Sequence, residues 1–230
     1  MILNKNIYVC VVFHHSEIRK HGKVVIKEFC DSWRDNKFPY KLVILDNASE
    51  FDYTDYLKDI EHHMIRVDDE SNSGITGAWN ALCEYAYNDG ADVITGFSDD
   101  VIFDKSFTKF IDAISDDNTV YAPVTNGIAG GPWQFQKSNK AKPGYKHTSN
   151  VLNGFWMGFT RKFYEDKNQN GELFIPGLKS GGITMDKWAG QEAMFYYWDS
   201  KYNTKCITIG DCWLEHTKLR SWKEARKRYL

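Results

Sequence analysis

A chain of 230 residues, 42% hydrophobic and 26% charged, is long enough to bury a substantial core and has an ordinary globular composition. A formal net charge of −2 gives no reason to expect a nucleic-acid partner, and no apolar run reaches the roughly 20 residues needed to cross a bilayer. Five cysteines, odd in number and without metal-spaced pairs, exclude a complete disulfide framework; with no signal-peptide pattern, reduced thiols and a cytoplasmic location are expected.

The first predicted element is the apolar run Ile7 to Phe13, rich in β-formers, as for a strand covered on both faces; it ends in His14-His15-Ser16-Glu17. A helix follows, with Val24, Val25, Phe29, Cys30 and Trp33 on its expected inner face. Lys41 to Leu45 predicts a second strand stopping at Asp46-Asn47, Tyr53 to Ile60 a short helix, and Met64 to Val67 a third strand. His62-His63 falls on a solvated helix end and receives no role. Ser71-Asn72-Ser73-Gly74 opens a helix from about Thr76 to Tyr87, stopped by Asn88-Asp89-Gly90. Asp92 to Phe97 predicts a fourth strand that delivers Ser98-Asp99-Asp100.

Strand–helix alternation at this spacing means βαβ units and a mainly parallel sheet with flanking helices. Ligands of such sheets bind beyond the carboxyl ends of the strands, so the polar segments after Phe13, Asp46 and Ser98 are expected to converge. Two adjacent carboxylates after a buried strand repel each other, and burying them is costly without a cation or hydrogen-bond donors. A divalent ion would compensate that charge; a solvated turn or a helix cap before Lys105 is the plainer alternative.

The second half is less regular. Thr125 to Asn150, rich in Gly, Lys, Asn and Ser, is a long loop of the kind used as a lid or binding surface. Val151 to Arg161 predicts a strand, Lys187 to Trp198 a helix, and Lys205 to Ile209 a further strand. No repeat, low-complexity tract or linker appears, so one domain is expected over 1–230. The tail from Lys218 to Arg228 holds six basic residues against Glu224; a solvated helix is the default, and peripheral contact with anionic lipid the other reading.

In order, "VVFHHSE", "VILDNAS", "SNSGITGAWNALCEYA" and "GFSDDVIF" resemble the nucleotide-sugar-binding segments of the GT-A glycosyltransferases of family 2, over roughly residues 7–104. The resemblance implies a GT-A α/β fold, with residues up to about 104 holding the nucleotide-sugar and the remainder holding the acceptor. It also implies an inverting transfer from a nucleotide-diphosphate sugar, UDP-linked by expectation, to a glycan or other hydroxyl acceptor. Phe13, His14, His15, Glu17, Asp46, Asn47, Asn72, Gly74, Asn80, Ser98 and Asp99 then line the donor site, with Asp46 accepting the uracil N3–H. Asp100, the last acid of the family's DxD position, becomes a ligand of Mn2+ or Mg2+; Ser98 departs from the usual first acid of that motif.

Downstream, "WAGQEAMFYYW" resembles the family's general-base helix start and "CWLEHTK" its late histidine segment. Glu192 is thereby implied as the base, with Asp186 and Asp199 as alternatives, and His216 as a second metal ligand. Each has a bland counterpart: Glu192 as an acid favoured by a helix N-terminus, His216 as a structural histidine, Asp46 as a turn residue. Trp133, Trp156 and Trp188 offer an acceptor platform if they are not core. Asn47-Ala48-Ser49 matches a glycosylation sequon, but a glycan there would block the expected pocket. A sugar-phosphate nucleotidyltransferase and an inactive carbohydrate-binding domain are the competing functions.

Overall fold

The computed structural model describes residues 5–16, 19, 21–68, 74–125, 136, 141–186 and 189–217. Its first half follows the predicted order: β1 (Ile7–Phe13), α1 (Gly22–Asn36), β2 (Lys41–Asn47), α2 (Thr54–Leu57), β3 (His62–Val67), α3 (Gly74–Asn88) and β4 (Val93–Phe97). Then come β5 (Val101–Phe103), α4 (Phe107–Ala113), β6 (Thr119–Val124), β7 (Lys146–Ser149), β8 (Trp156–Thr160) and α5 (Arg161–Lys167). A small hairpin of β9 (Lys179–Ser180) and β10 (Ile183–Thr184) precedes α6 (Glu192–Tyr202) and the long β11 (Lys205–His216).

The main sheet runs β3-β2-β1-β4-β8-β6-β11-β5, with β7 also paired to β11. The β3-β2-β1-β4 block is parallel, as is the β6–β11 pair, whereas β8 runs antiparallel to β4 and β6. Alternation explains the continuous apolar strands: Tyr8, Cys10 and Val12 enter one core with α3 and α6, while Val9, Val11 and Phe13 enter the other with α1 and α4. Each aliphatic side chain buried this way contributes about 1.5–3 kcal/mol relative to exposure.

The α1 stripe is Val25, Ile26, Phe29, Cys30 and Trp33, all buried; Val24, expected on that face, is 56% exposed because it lies on the opposite side of the helix. The predicted helix through Ile60 stops at Leu57, and His62-His63 opens β3 rather than ending a helix, with the His63 ring stacked on Tyr85. The strand expected over Val151–Arg161 begins only at Trp156, and Arg161 starts α5. The helix expected from Lys187 begins at Glu192 because Gly190, at φ 81, turns the chain just before it. The predicted loop over 125–150 contains β7. Trp156 is fully buried against Phe103 and Phe107, which removes it as an acceptor platform. Trp133, Trp188 and the basic tail lie outside the described residues.

Candidate active site

The topology brings three strand ends to one edge. Phe13 and Asp46 are register partners across β1 and β2, and β4 ends beside β1 with Val11 opposite Phe97. The loops after β2, β1 and β4 therefore lie side by side in that order.

Asp46, fully buried at the end of β2, accepts a hydrogen bond at Oδ1 from the Ser49 amide at 3.1 Å. Its Oδ2 is buried without a hydrogen bond among the described residues, with the Arg66 Nε 3.4 Å away in an ion pair. Arg66 is 60% exposed and also donates to the Ser49 carbonyl at 3.1 Å. A buried carboxylate oxygen short of a hydrogen-bond donor is costly, and the Arg66 charge offsets part of that cost. Ser49 is held in turn: the Tyr53 hydroxyl and the His15 amide both donate to its Oγ, at 2.6 and 3.0 Å.

His14 Nδ1 lies 2.8 Å from the Asn47 carbonyl. Since a carbonyl only accepts, Nδ1 is the donor of this contact. Burial and the nearby Lys23 lower the His15 pKa. Asn47 and Ser49 of the sequon are both buried.

The turn after β4 is formed under strain. Gly96 has φ 127 and passes so close to β1 that a Cβ there would overlap the Cys10 carbonyl. Phe97, a non-glycine residue at φ 113, is held in that conformation by rings of Trp79, Phe159 and Phe174. The reversal aims the next two carboxylates differently. Asp99, almost fully buried, takes Arg19 in a two-pronged ion pair, Nη1 to Oδ2 at 2.6 Å and Nη2 to Oδ1 at 2.5 Å. Its oxygens are thus spent on a side chain, not open to the nucleotide as expected. Burial pushes the Asp99 carboxyl up, against the pull of Arg19.

Asp100 has different partners. Ser98 Oγ donates to Oδ1 at 2.5 Å, and His216 Nε2 lies 3.3 Å from the same oxygen. Burial works to raise this carboxyl, but His216, Arg19 and Ser98 outweigh it and hold it below the usual carboxylate range. His216 arrives there because β11 changes partner. After an irregularity between Ile209 and Trp213 the strand pairs antiparallel with β5, setting His216 opposite Val101. The Thr217 amide and hydroxyl then donate to the Asp100 carbonyl at 2.8 and 3.1 Å, and the Phe155 ring stacks on His216.

Glu192 is the first residue of α6, half-buried. Its position is fixed through its neighbour: Gln191 Nε2 donates to Thr76 Oγ1 at 3.2 Å, and Thr76 donates to the Asp186 carbonyl at 2.7 Å. The start of α6 is thereby tied to the start of α3, where Gly74 has φ 73. Asn80, expected beside the donor, instead holds the Phe174 backbone from both sides, donating to its carbonyl at 2.7 Å and accepting from its amide at 2.8 Å. Asp186 Oδ1 accepts from the Ala189 amide at 2.7 Å. Glu17 and Asn72 lie outside the described residues.

Arg19, Ser49, Arg66 and Thr76, which hold the candidate residues in place, escaped sequence reasoning, and none of them stood out in the pattern. A cavity of about 630 Å3 lies at the opposite strand ends, lined by Tyr8, Lys41, His62 and Asp89 among others, away from all of this chemistry. A smaller one of about 290 Å3 reaches Tyr53 and Arg66 beside Asp46. The strand-end rule favours the carboxyl edge over the larger cavity.

A family model described as glycosyl transferase family 2 matches residues 8–179. No curated protein matches the chain. Among solved structures it is similar to GalNAc-T7, solved with UDP, GalNAc and Mn2+, at 16% identity and TM-score 0.65, covering 92% of this chain and 44% of that one. It is similar to TarS residues 1–349 of S. aureus in complex with UDP-GlcNAc, at 16% identity and TM-score 0.57, covering 91% of this chain and 58% of that one. A nucleotidyl transferase from Methanothermobacter thermautotroptrophicus superposes at 9% identity and TM-score 0.55, covering 98% and 99%. The TM-scores establish a shared fold, the GT-A α/β arrangement. The chain spans about half the length of the first two.

Proposed function

Because the chain belongs to glycosyl transferase family 2, we propose that it transfers a sugar from a UDP-linked donor to a hydroxyl acceptor, with inversion and with a divalent ion bound at Asp100 and His216. The observation that carries this reading is the Asp100–His216 pair, assembled on the same sheet edge as the hydrogen-bond-deficient Asp46. The structures of GalNAc-T7 with UDP and Mn2+ and of TarS with UDP-GlcNAc support it by fold.

The donor set fits a hard cation. A carboxylate oxygen held ionised and an imidazole nitrogen stand 3.3 Å apart, close to the spacing of about 3 Å between neighbouring ligands of one such ion. An imidazole beside a carboxylate suits Mn2+ better than Mg2+. Among the described residues no cluster of three His, Cys, Asp or Glu side chains is present, so Asp100 and His216 would hold the ion together with groups from outside the protein. The bound ion supplies charge to stabilise the departing diphosphate.

The base preference follows from Asp46. One of its oxygens is taken by Ser49, leaving one to accept a single ring N–H, as uracil N3–H provides. Guanine, with N1–H and an exocyclic amine side by side, needs both oxygens. Arg66, next to the oxygen without a hydrogen bond, would donate to an adjacent base carbonyl.

Glu192 takes the proton of the acceptor hydroxyl as that oxygen attacks the anomeric carbon. The bond from that carbon to the phosphate oxygen breaks, its electron pair leaving with the diphosphate. The chain acts in this reading as one unit, 1–104 holding donor and 105–230 holding acceptor. The nucleotidyltransferase alternative rests on fold likeness alone. The test is donor turnover with Glu192→Gln. Transfer and donor hydrolysis should fall by about 10²–10⁴-fold, while thermal stabilisation by UDP with Mn2+ persists; unchanged turnover would sink the assignment.

A further inference from the structure

Asp99 is the acid that the transfer mechanism leaves unused, yet it is among the most deeply buried groups of the site. Its role lies in what it holds. Arg19 spends both hydrogens of Nη1, one on Asp99 Oδ2 and one on the His14 carbonyl at 2.7 Å, and one hydrogen of Nη2 on Asp99 Oδ1. A guanidinium has five N–H donors. Its Nε–H and the second Nη2–H, which form a separate bidentate edge, have no partner among the described residues, and the side chain remains 29% exposed.

The location is equally specific. In the sheet β1 lies between β2 and β4, so the loop after β1 lies between the loop bearing Asp46 and the turn bearing Asp100. A nucleotide whose base reaches Asp46 and whose diphosphate reaches Asp100 passes over that middle loop. Among the described residues of that loop, Arg19 is the cation that reaches Asp99, and it is braced before any ligand arrives. The guanidinium fork matches phosphate oxygens two at a time, and holding it by one edge removes the entropy otherwise lost when a long side chain is fixed.

We propose that Arg19, braced by Asp99, is a resident cation of the donor site whose open edge binds the diphosphate and shares its charge with the metal at Asp100. This rests on the nucleotide-sugar reading of the same site. It also explains the adjacent acids: one seats a metal, and the other neutralises and aims an arginine.

The test is binding of UDP and of uridine to the full chain in EDTA, by calorimetry, so that the metal contributes nothing. The wild type should bind UDP at least tenfold more tightly than uridine. Arg19→Gln should remove most of that ratio while leaving uridine affinity unchanged, and Asp99→Asn, which loosens the brace, should reduce it partway. Arg19→Lys, which keeps a charge and is the milder change to the fold, should retain part of the ratio. Equal affinity of the wild type for UDP and uridine overturns the proposal without any variant. So does an Arg19→Gln protein that weakens both ligands alike, which marks a purely structural residue. Failure of the wild type to bind either ligand, with or without Mn2+, instead refutes the nucleotide reading.

Discussion

His216 Nε2 stands 3.3 Å from Asp100 Oδ1, and Ser98 Oγ donates to that same oxygen at 2.5 Å. One carboxylate oxygen is thus oriented from two directions, by a hydroxyl two residues away and by an imidazole from the far end of the chain. Serine at the position where the family's motif begins with an acid is an orienting donor here.

Ser98→Ala therefore removes support, not a ligand. Outer-shell partners of this kind typically change metal affinity by about 10–100-fold. Manganese titration of transferase activity should show the apparent affinity falling by that factor, with turnover recovered at saturating metal. Asp100→Ala should not recover at any concentration.

Asp46→Asn tests the base pocket. It replaces the unpaired acceptor by an amide that can present a donor to uracil N3–H, so the hydrogen bond is lost and a clash of donors is added. UDP affinity should fall by about 1–3 kcal/mol, roughly 5- to 150-fold. Isothermal titration with UDP and GDP checks both parts, GDP remaining weak in wild type and variant.

Gln191→Ala cuts the link between the starts of α6 and α3 without touching donor or metal. The prediction is a drop in kcat of about tenfold, from misplacement of Glu192, with UDP affinity within twofold of wild type. A matched loss in UDP binding would show that the link shapes the donor pocket as well.

Gly96→Ala should be the most destabilising single-methyl addition near the site. The residue sits at φ 127, and the new Cβ would meet the Cys10 carbonyl, a backbone atom with no room to yield. A loss of at least about 3 kcal/mol is expected, strain and overlap together, read from guanidinium unfolding midpoints.

The five cysteines set a pH prediction. Burial pushes the Cys30 thiol up to about 12 and raises the other four as well. The native protein keeps these protons where the unfolded chain, with thiol pKa near 8.5, releases them. Stability from this source is complete below about pH 8.5 and declines as pH rises beyond it. With reductant present, unfolding midpoints should fall from pH 8.5 to 10.5. A disulfide reagent at pH 8 should label no thiol before unfolding and five after.

How much of this was legible follows from where the physics is local. "IYVCVVF" and "KLVIL" are buried on both faces and end in polar residues, so their strands and the meeting of Phe13, Asp46 and Ser98 at one edge could be read from pattern alone. The family and the GT-A fold came from the ordered set of such segments. The second half resisted because its signals are not periodic: "KHTS" of β7 is half exposed, β5 has three residues, and β11 shifts register between Ile209 and Trp213 shortly before it takes β5 as a partner. Arg19 was invisible for another reason. A lone arginine in a loop carries no sign that it will reach Asp99, and the acid was credited with a direct nucleotide contact because its partner lay 80 positions away.

The shift in β11 between Ile209 and Trp213 has a consequence for how this chain tolerates change in length. Side chains of a strand alternate between faces, so inserting or deleting one residue after the shift would turn His216 to the face opposite Asp100 while leaving the pairing with β6 intact. Length variation in this protein is thus confined by a counting rule: the four residues from Trp213 to His216 form a spacer of fixed parity.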